Sequence, residues 1–217
     1  MLTNLFSSFD PSTSSSIQMN WMMMIMPVLI LPKKFWLKNS RSTSMMKTIN
    51  KLMMKEMKFS KDKQMKLMLL AVFKTILMMN ILSIPPYTFT PTSHMVISMT
   101  LALPLWMSLM TFGWTKSTNL MFAHTLPSGT PPALMPFMIL IETISNIIRP
   151  LSLAIRLTAN MIAGHLLMTL LGNLNEMNTI PMIMIMQMTL MTFESSISII
   201  QAYVFTVLMT LYSSEIP

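Results

Sequence analysis

Titratable and charged residues recur in two apolar segments near the C-terminal end of the sequence. The segment "ETISNIIRPLSLAIRLTANMIAGHLL" carries Glu142, Arg149, Arg156 and His165, and a later segment carries Glu194. Carboxyl and imidazole groups exchange protons with water, whereas a guanidinium stays charged and cannot accept a proton. These residue types together predict a proton path that is interrupted by a fixed positive charge.

Helical spacing groups these residues on two helices. Glu142, Arg149 and Arg156 follow one another at intervals of seven, which places them on one face of a helix. Asn160 lies beside that face, whereas His165, nine residues after Arg156, points the opposite way. The later segment has a polar stripe at i, i+4 and i+7, formed by Glu194, Ser198 and Gln201.

Ionisable residues inside a membrane span cost at least about 2.5 to 3.5 kcal/mol, so they face protein or a water-filled cavity. Simpler structural roles stay open for several of them. Glu142 and Arg149 also fit interfacial positions, where long side chains reach the headgroups. His165 also fits a packed neutral imidazole, and the amides fit interhelical hydrogen bonding. Arg156 fits such roles least, because it lies well inside its helix and cannot be neutralised by losing a proton.

The elements that position these residues are membrane helices. The chain of 217 residues is 53% hydrophobic and 10% charged, with a mean hydropathy of +0.58. Soluble domains are about 25% charged. Its long uncharged stretches allow about five crossings of roughly 20 residues each. The alternating pattern of barrel strands is missing, so the sequence predicts an all-α membrane protein.

We predict a single integral membrane domain over residues 1–217. It consists of a first span, a basic surface helix, a helical hairpin, and two long helices. Each long helix would reach about 50 Å, more than the ~30 Å hydrocarbon core, so it must tilt strongly or kink. Pro150 predicts one kink. The predicted ranges, in chain order, are 21–37, 41–66, 67–84 with 94–114, 133–171 and 179–212.

Positive charge is concentrated in one loop. Eleven of the fifteen Lys and Arg residues lie within residues 33–66. The positive-inside bias places this loop in the compartment where the protein is made. Within it, basic residues oppose an apolar face of Met45, Ile49, Leu52, Met53 and Met57. This pattern predicts a helix that lies on anionic lipid such as cardiolipin. Aromatic residues are not interleaved with the charges, which argues against a nucleic-acid partner.

Several chemistries are excluded by composition. The chain has no cysteine, which excludes disulfides and thiolate metal sites, and no cofactor or metal is expected. It has four glycines and no GxxxxGK[ST] phosphate-binding loop. We therefore expect a chain that is not catalytic alone.

Four motifs carry a family resemblance. "ETISNIIRPLSLAIRLTANMIAGHLL", "FESSISIIQAYVFTVLMTLY", "NILSIPPYTFTPTSH" and "LALPLW" together resemble subunit a of the F-type ATP synthase, in its mitochondrially encoded form. The resemblance covers nearly the whole chain from Leu67 onward. It implies a stator whose tilted helix pair wraps against the c-ring, beside other membrane and peripheral-stalk subunits. It also implies the mitochondrial inner membrane. The N-terminus would face the intermembrane space, and the loop 33–66 and the C-terminus would face the matrix.

The resemblance also implies roles for individual residues. Arg156 matches the essential arginine that faces the carboxylates of the c-ring. Glu194 and His165 match the pair that lines the half-channel open to the intermembrane space, and Glu142 matches the acid near the matrix exit. The polar residues that border the arginine are matched by Asn160 and Gln201.

The residues alone are also compatible with two other classes of protein. A proton-coupled secondary transporter would use an intramembrane Arg and Glu, but it should show paired repeats and broken helices, and the sequence has neither. A structural membrane subunit of a respiratory complex would use the polar residues only for interhelical hydrogen bonds.

Overall fold

The computed structural model describes residues 5–13, 18–31, 38, 40–57, 63–86, 88–126, 129, 131–173 and 180–215. Within these ranges the chain forms α-helices joined by short 3-10 turns, and no strand. The α-helices are α1 (Met26–Ile30), α2 (Arg41–Glu56), α3 (Lys63–Ser83), α4 (Met95–Lys116), α5 (Thr118–His124), α6 (Met135–Asn173) and α7 (Ile180–Glu215). The 3-10 turns are Leu5–Phe9, Met19–Met24, Pro91–Ser93 and Pro132–Leu134.

The prediction of an all-α membrane protein is confirmed. In the described part of the chain, four apolar helices are long enough to cross a membrane. They are Gln64–Ser83, Met95–Lys116, Pro132–Asn173 and Ile180–Ser214. A shorter apolar helix covers Met19–Ile30. Residues 32–37 of the predicted first span, and residues 58–62 of the predicted segment 41–66, lie outside the described residues.

The long helices pack in a bundle. Helix α7 packs against α3 and α6, and α4 packs against α6. Their shared core contains Leu69, Phe73 and Ile76 of α3, with Phe205 and Met209 of α7. The opposite surfaces of α6 and α7 expose many large apolar side chains. Such surfaces are stable only against lipid or a partner chain, because burial of apolar area drives packing.

Helix α2 divides its apolar face between two environments. It begins at Arg41 and is capped by Ser40, whose side chain accepts a hydrogen bond from the backbone N–H of Thr43 at 3.3 Å. Met53 and Met57 are buried in the core of the bundle, because α2 packs against α3. Met45, Ile49 and Leu52 remain exposed. The apolar surface that α2 leaves exposed therefore consists of three residues, whereas the sequence predicts a single face of five.

The two ends of α6 lie in different surroundings. The Pro91–Ser93 turn and the Leu5–Phe9 turn both contact α6, and Phe9 contacts it at His165. At the other end, Arg149 of α6 lies near Tyr212 of α7. Pro150 lies inside α6 and is buried. The polar residues of α6 are thus spread from one end of the bundle to the other.

Candidate functional site

Three contacts show that α6 and α7 run antiparallel, because residue numbers rise on one helix as they fall on the other. These contacts are Arg149 with Tyr212, Asn160 with Gln201, and Gly164 with Glu194. This pairing brings polar stripes from two distant segments of the sequence together. Such long-range packing assembles the site.

A cavity of about 220 Å³ lies between the two helices near the end that carries His165. Its polar lining residues are Asn160, His165, Glu194, Ser198 and Gln201. A buried water needs roughly 10 to 15 Å³ of such volume and two to four polar partners. The cavity therefore has the volume for several water molecules, and a few polar groups in its mainly apolar lining offer them hydrogen-bond partners.

The carboxyl group of Glu194 lies directly against the backbone of α6. A Cβ atom added to Gly164 would come within 2.7 Å of Glu194 Oε1, so only glycine leaves room for the carboxyl in this position. Glu194 Oε1 is buried and has no hydrogen-bond partner among the described residues. A buried polar atom without a partner is rare and costly, which points to water or a transferable proton at this oxygen.

The imidazole of His165 is enclosed on several sides. Its side chain is 2% exposed, and its Nε2 atom has no hydrogen-bond partner in the described part of the chain. The ring lies next to the backbone of Ser83 in α3. The Phe9 ring packs edge-on against it, with ring centroids 6.4 Å apart. His165 therefore adds a second unpartnered polar atom to the surroundings of the cavity.

An amide pair connects the cavity with the outer face of α6. Asn160 Nδ2 donates a hydrogen bond to Gln201 Oε1 at 3.1 Å. Gln201 is buried, whereas Asn160 is exposed. The pair thus joins the polar stripe of α7 to the surface of α6 on which Arg156 lies. Amide pairs of this kind are common between membrane helices, so this contact fits both a structural and a functional role.

Arg156 stands apart from the cavity. Its side chain is exposed, and it forms no hydrogen bond or ion pair with any residue that the structure describes. The nearest turns of the same face present the small exposed residues Ser152, Ala159 and Ala163. The permanent charge of Arg156 thus lies on an exposed face with small residues around it, in the middle of a 39-residue apolar helix.

Glu142 lies far from both the cavity and Arg156. It is about 21 Å from Arg156 along the helix axis, given 1.5 Å per residue. Its Oε1 atom is 3.8 Å from Arg149 Nη2, and the Arg149 guanidinium lies 5.1 Å from the centre of the Tyr212 ring. The structure therefore places four of the six predicted residues at the cavity, leaves Arg156 isolated, and pairs Glu142 with Arg149 farther along α6.

Sequence reasoning missed one polar group in α3 and the loop after it. Both side-chain amide atoms of Asn80 are buried without a partner among the described residues, as are the hydroxyl groups of Thr90 and Thr92. Ser83, one turn from Asn80, donates a hydrogen bond to the backbone oxygen of Asn80 at 2.7 Å. The signal was an asparagine inside the apolar run "ILMMNILS". These buried atoms, like those of His165 and Glu194, lack a hydrogen-bond partner among the described residues.

Comparison with known proteins identifies the family. The family profile described as ATP synthase A chain matches residues 17–214. The chain belongs to the ATP synthase subunit a family. ATP synthase subunit a of Aedes aegypti is 50% identical over 225 residues, that of Locusta migratoria 48% over 224, and that of Drosophila melanogaster 47% over 223. Each alignment covers 100% of both chains.

These comparisons confirm the predicted resemblance to subunit a. Together with the four long apolar helices, they make the chain a multi-pass subunit of the membrane sector of ATP synthase.

Proposed function

We propose that this subunit a is the proton-conducting stator of the ATP synthase membrane sector. It would form two offset half-channels against the rotating c-ring, in the mitochondrial inner membrane, beside other membrane and peripheral-stalk subunits. The N-terminus would face the intermembrane space, and the loop 33–66 and the C-terminus would face the matrix. The observation that carries this proposal is the exposed Arg156, which has no partner in the described part of its own chain.

The cost of this charge supports a partner at the same face. A charged side chain exposed to hydrocarbon costs at least about 2.5 to 3.5 kcal/mol, and a carboxylate on a neighbouring chain removes that cost by pairing with it. Ser152, Ala159 and Ala163 are small and exposed on this face. Small residues allow two membrane helices to approach closely. A ring of helices that carries carboxylates at this depth would fit the face.

Proton uptake would use the cavity. A proton from the intermembrane space would pass His165 and Glu194 through water and protonate a carboxylate of the c-ring. Both residues line the cavity, and each has an unpartnered buried atom that water would satisfy. The amide pair Asn160–Gln201 would hold the inner end of this path next to Arg156. The neutral carboxyl group would then rotate through lipid.

Proton release would occur at the opposite end of α6. The returning carboxyl group would lose its proton toward Glu142, which is held near the helix surface by Arg149. Arg156 would attract the ionised carboxylate and repel a free proton, so the two wet passages would not join. Each elementary charge that crosses 100 mV releases about 2.3 kcal/mol, which would drive rotation.

Cross-linking tests the proposed contact with the c-ring. The native chain has no cysteine, so Ala159→Cys introduces a single thiol one turn from Arg156. The second cysteine would be placed beside the carboxylate of the c subunit. We expect a disulfide on oxidation of the assembled complex, because the Cα atoms would approach within about 7 Å. Leu103→Cys, exposed on α4, is the control and should not cross-link. Equal or absent cross-linking at the two positions would contradict the proposal.

Anionic lipid such as cardiolipin is a second proposed partner, at α2. This helix exposes three basic residues, Arg41, Lys51 and Lys55. They lie beside the exposed apolar residues Met45, Ile49 and Leu52. Each basic residue near an anionic membrane surface contributes about 1 kcal/mol. Replacing all three with glutamine should therefore weaken cardiolipin binding by about 100-fold. Native mass spectrometry of the purified complex would measure this, with Lys116→Gln as the matched control. Unchanged cardiolipin in the triple variant would exclude this site.

A further inference from the structure

The N-terminal 3-10 turn, Leu5–Phe9, lies against α6 at His165, although the two are far apart in sequence. Phe9 is half-buried, and its ring meets the His165 ring edge-on, at an interplanar angle of 75°. Phe6, at the start of the same turn, packs on Phe9 but is itself 67% exposed. Of the two phenylalanines in this turn, Phe9 is the one that covers the imidazole.

His94 holds the turn in this place. Its Nε2 atom lies 3.1 Å from the backbone oxygen of Phe9, across a separation of 85 residues. Because a carbonyl oxygen only accepts, the proton of this hydrogen bond belongs to His94. His94 precedes α4 directly, and its side chain does not cap that helix. Its hydrogen-bonding capacity is thus directed to the N-terminal turn.

Two aromatic rings fix the orientation of His94. The Trp21 ring lies 5.3 Å and the Phe89 ring 5.4 Å from the His94 ring, and Trp21 packs edge-on against Phe89. Aromatic pairs at such distances stabilise each other beyond their buried area. Phe89 and His94 flank the Pro91–Ser93 turn, and Trp21 belongs to the Met19–Met24 turn, so the three rings join two segments of the chain and hold His94 where it meets the Phe9 backbone.

We propose that His94 and Phe9 are positioning residues for His165: His94 anchors the N-terminal turn, and Phe9 shields one side of the imidazole from the aqueous phase. This inference rests on the proposed proton-uptake role of His165. With that side covered, water would reach the imidazole only through the cavity that also contains Glu194. The turn would thereby set the route and the rate of proton delivery to the cavity.

The access of a small imidazole-modifying reagent to His165 tests the shield. Diethyl pyrocarbonate modifies accessible imidazoles, and peptide mapping by mass spectrometry reports the rate at His165 alone, in the assembled complex. We expect Phe9→Ala to raise this rate by about 2- to 10-fold, the effect of one aromatic pair on an equilibrium. Phe6→Ala is the matched control and should leave the rate unchanged. Equal rates in the two variants would overturn the proposal.

The anchor is tested by two replacements of His94. Gln keeps an N–H donor for the Phe9 carbonyl, so His94→Gln should retain slow modification of His165, whereas His94→Leu should behave like Phe9→Ala. Native reactivity in His94→Leu would overturn the anchor. The rate of proton flux through the same complexes should differ from the native rate in Phe9→Ala and should equal the native rate in Phe6→Ala. Faster labelling without altered flux would overturn the role in proton delivery, and neither reagent result depends on whether His165 carries protons.

Discussion

Replacing Arg156 with alanine is expected to abolish proton-driven ATP synthesis while the complex stays assembled. The side chain contacts no described residue of its own chain by hydrogen bond or ion pair, so its loss should not disturb the helix bundle. Removing one partner of a buried charge pair costs about 3 to 5 kcal/mol, so losing the cation that would pair with the c-ring carboxylate should lower the coupled rate by roughly 100-fold or more. ATP synthesis in vesicles under an imposed potential measures this directly.

The passive proton leak provides a second measurement on the same variant. Without the cation, a proton could pass from one wet passage to the other without rotation of the ring, so the leak should rise. Ser152→Ala, one turn before Arg156 on the same exposed face, is the control and should behave like the native protein. Arg156→Lys keeps a charge but loses the planar donor group, and we expect partial coupling.

The outcome separates the three classes of protein that the residues allowed. Native synthesis by Arg156→Ala would exclude the rotary role. Loss of assembly, with native specific activity in the complexes that remain, would favour a purely structural subunit. A secondary transporter would lose transport of a substrate that is independent of ATP synthesis. Only an intact complex that leaks protons and makes no ATP agrees with the proposed stator.

The sequence was sufficient to predict the all-α membrane fold, because lipid leaves few other ways to satisfy the backbone. It also singled out Arg156, because a guanidinium inside an apolar helix costs free energy that a purely structural role does not account for. The grouping of Glu194 with Gln201 followed from helical spacing alone. These predictions depend on the residue pattern within a single helix. That pattern is the same whichever partner the helix packs against.

Long-range contacts could not be predicted in the same way. The sequence gives no register between α6 and α7, so the approach of Glu194 to Gly164 appears only in the structure. The division of the α2 face arises because Met53 and Met57 pack on α3, and helical periodicity alone does not tell a protein-facing stripe from a lipid-facing one. The contact of Phe9 with His165 joins segments without any shared motif.

Glu194→Gln is expected to slow synthesis as Arg156→Ala does, but without a proton leak. Glutamine has nearly the same shape as glutamate, so it should fit against Gly164 without repacking the cavity. It cannot exchange a proton, and the loss of one positioned proton-transfer group typically costs about 100-fold or more in rate. The cation at Arg156 would still separate the two passages, so the leak should stay at the native level. Initial rates of synthesis and passive flux, measured on the same vesicles, distinguish the two variants.

Two further variants test whether the position of the carboxyl group matters as well as its presence. Gly164→Ala adds a Cβ that would lie 2.7 Å from Glu194 Oε1, so the carboxyl must move, and we expect a smaller loss of synthesis than in Glu194→Gln. Combining it with Glu194→Asp, which is shorter by one methylene, should restore part of the rate. Ser195→Ala is the control, because this hydroxyl does not line the cavity and donates to the backbone oxygen of Thr192 at 2.8 Å. A native rate in Glu194→Gln would remove the cavity from the proton path, and Arg156 would then have to receive its protons by another route.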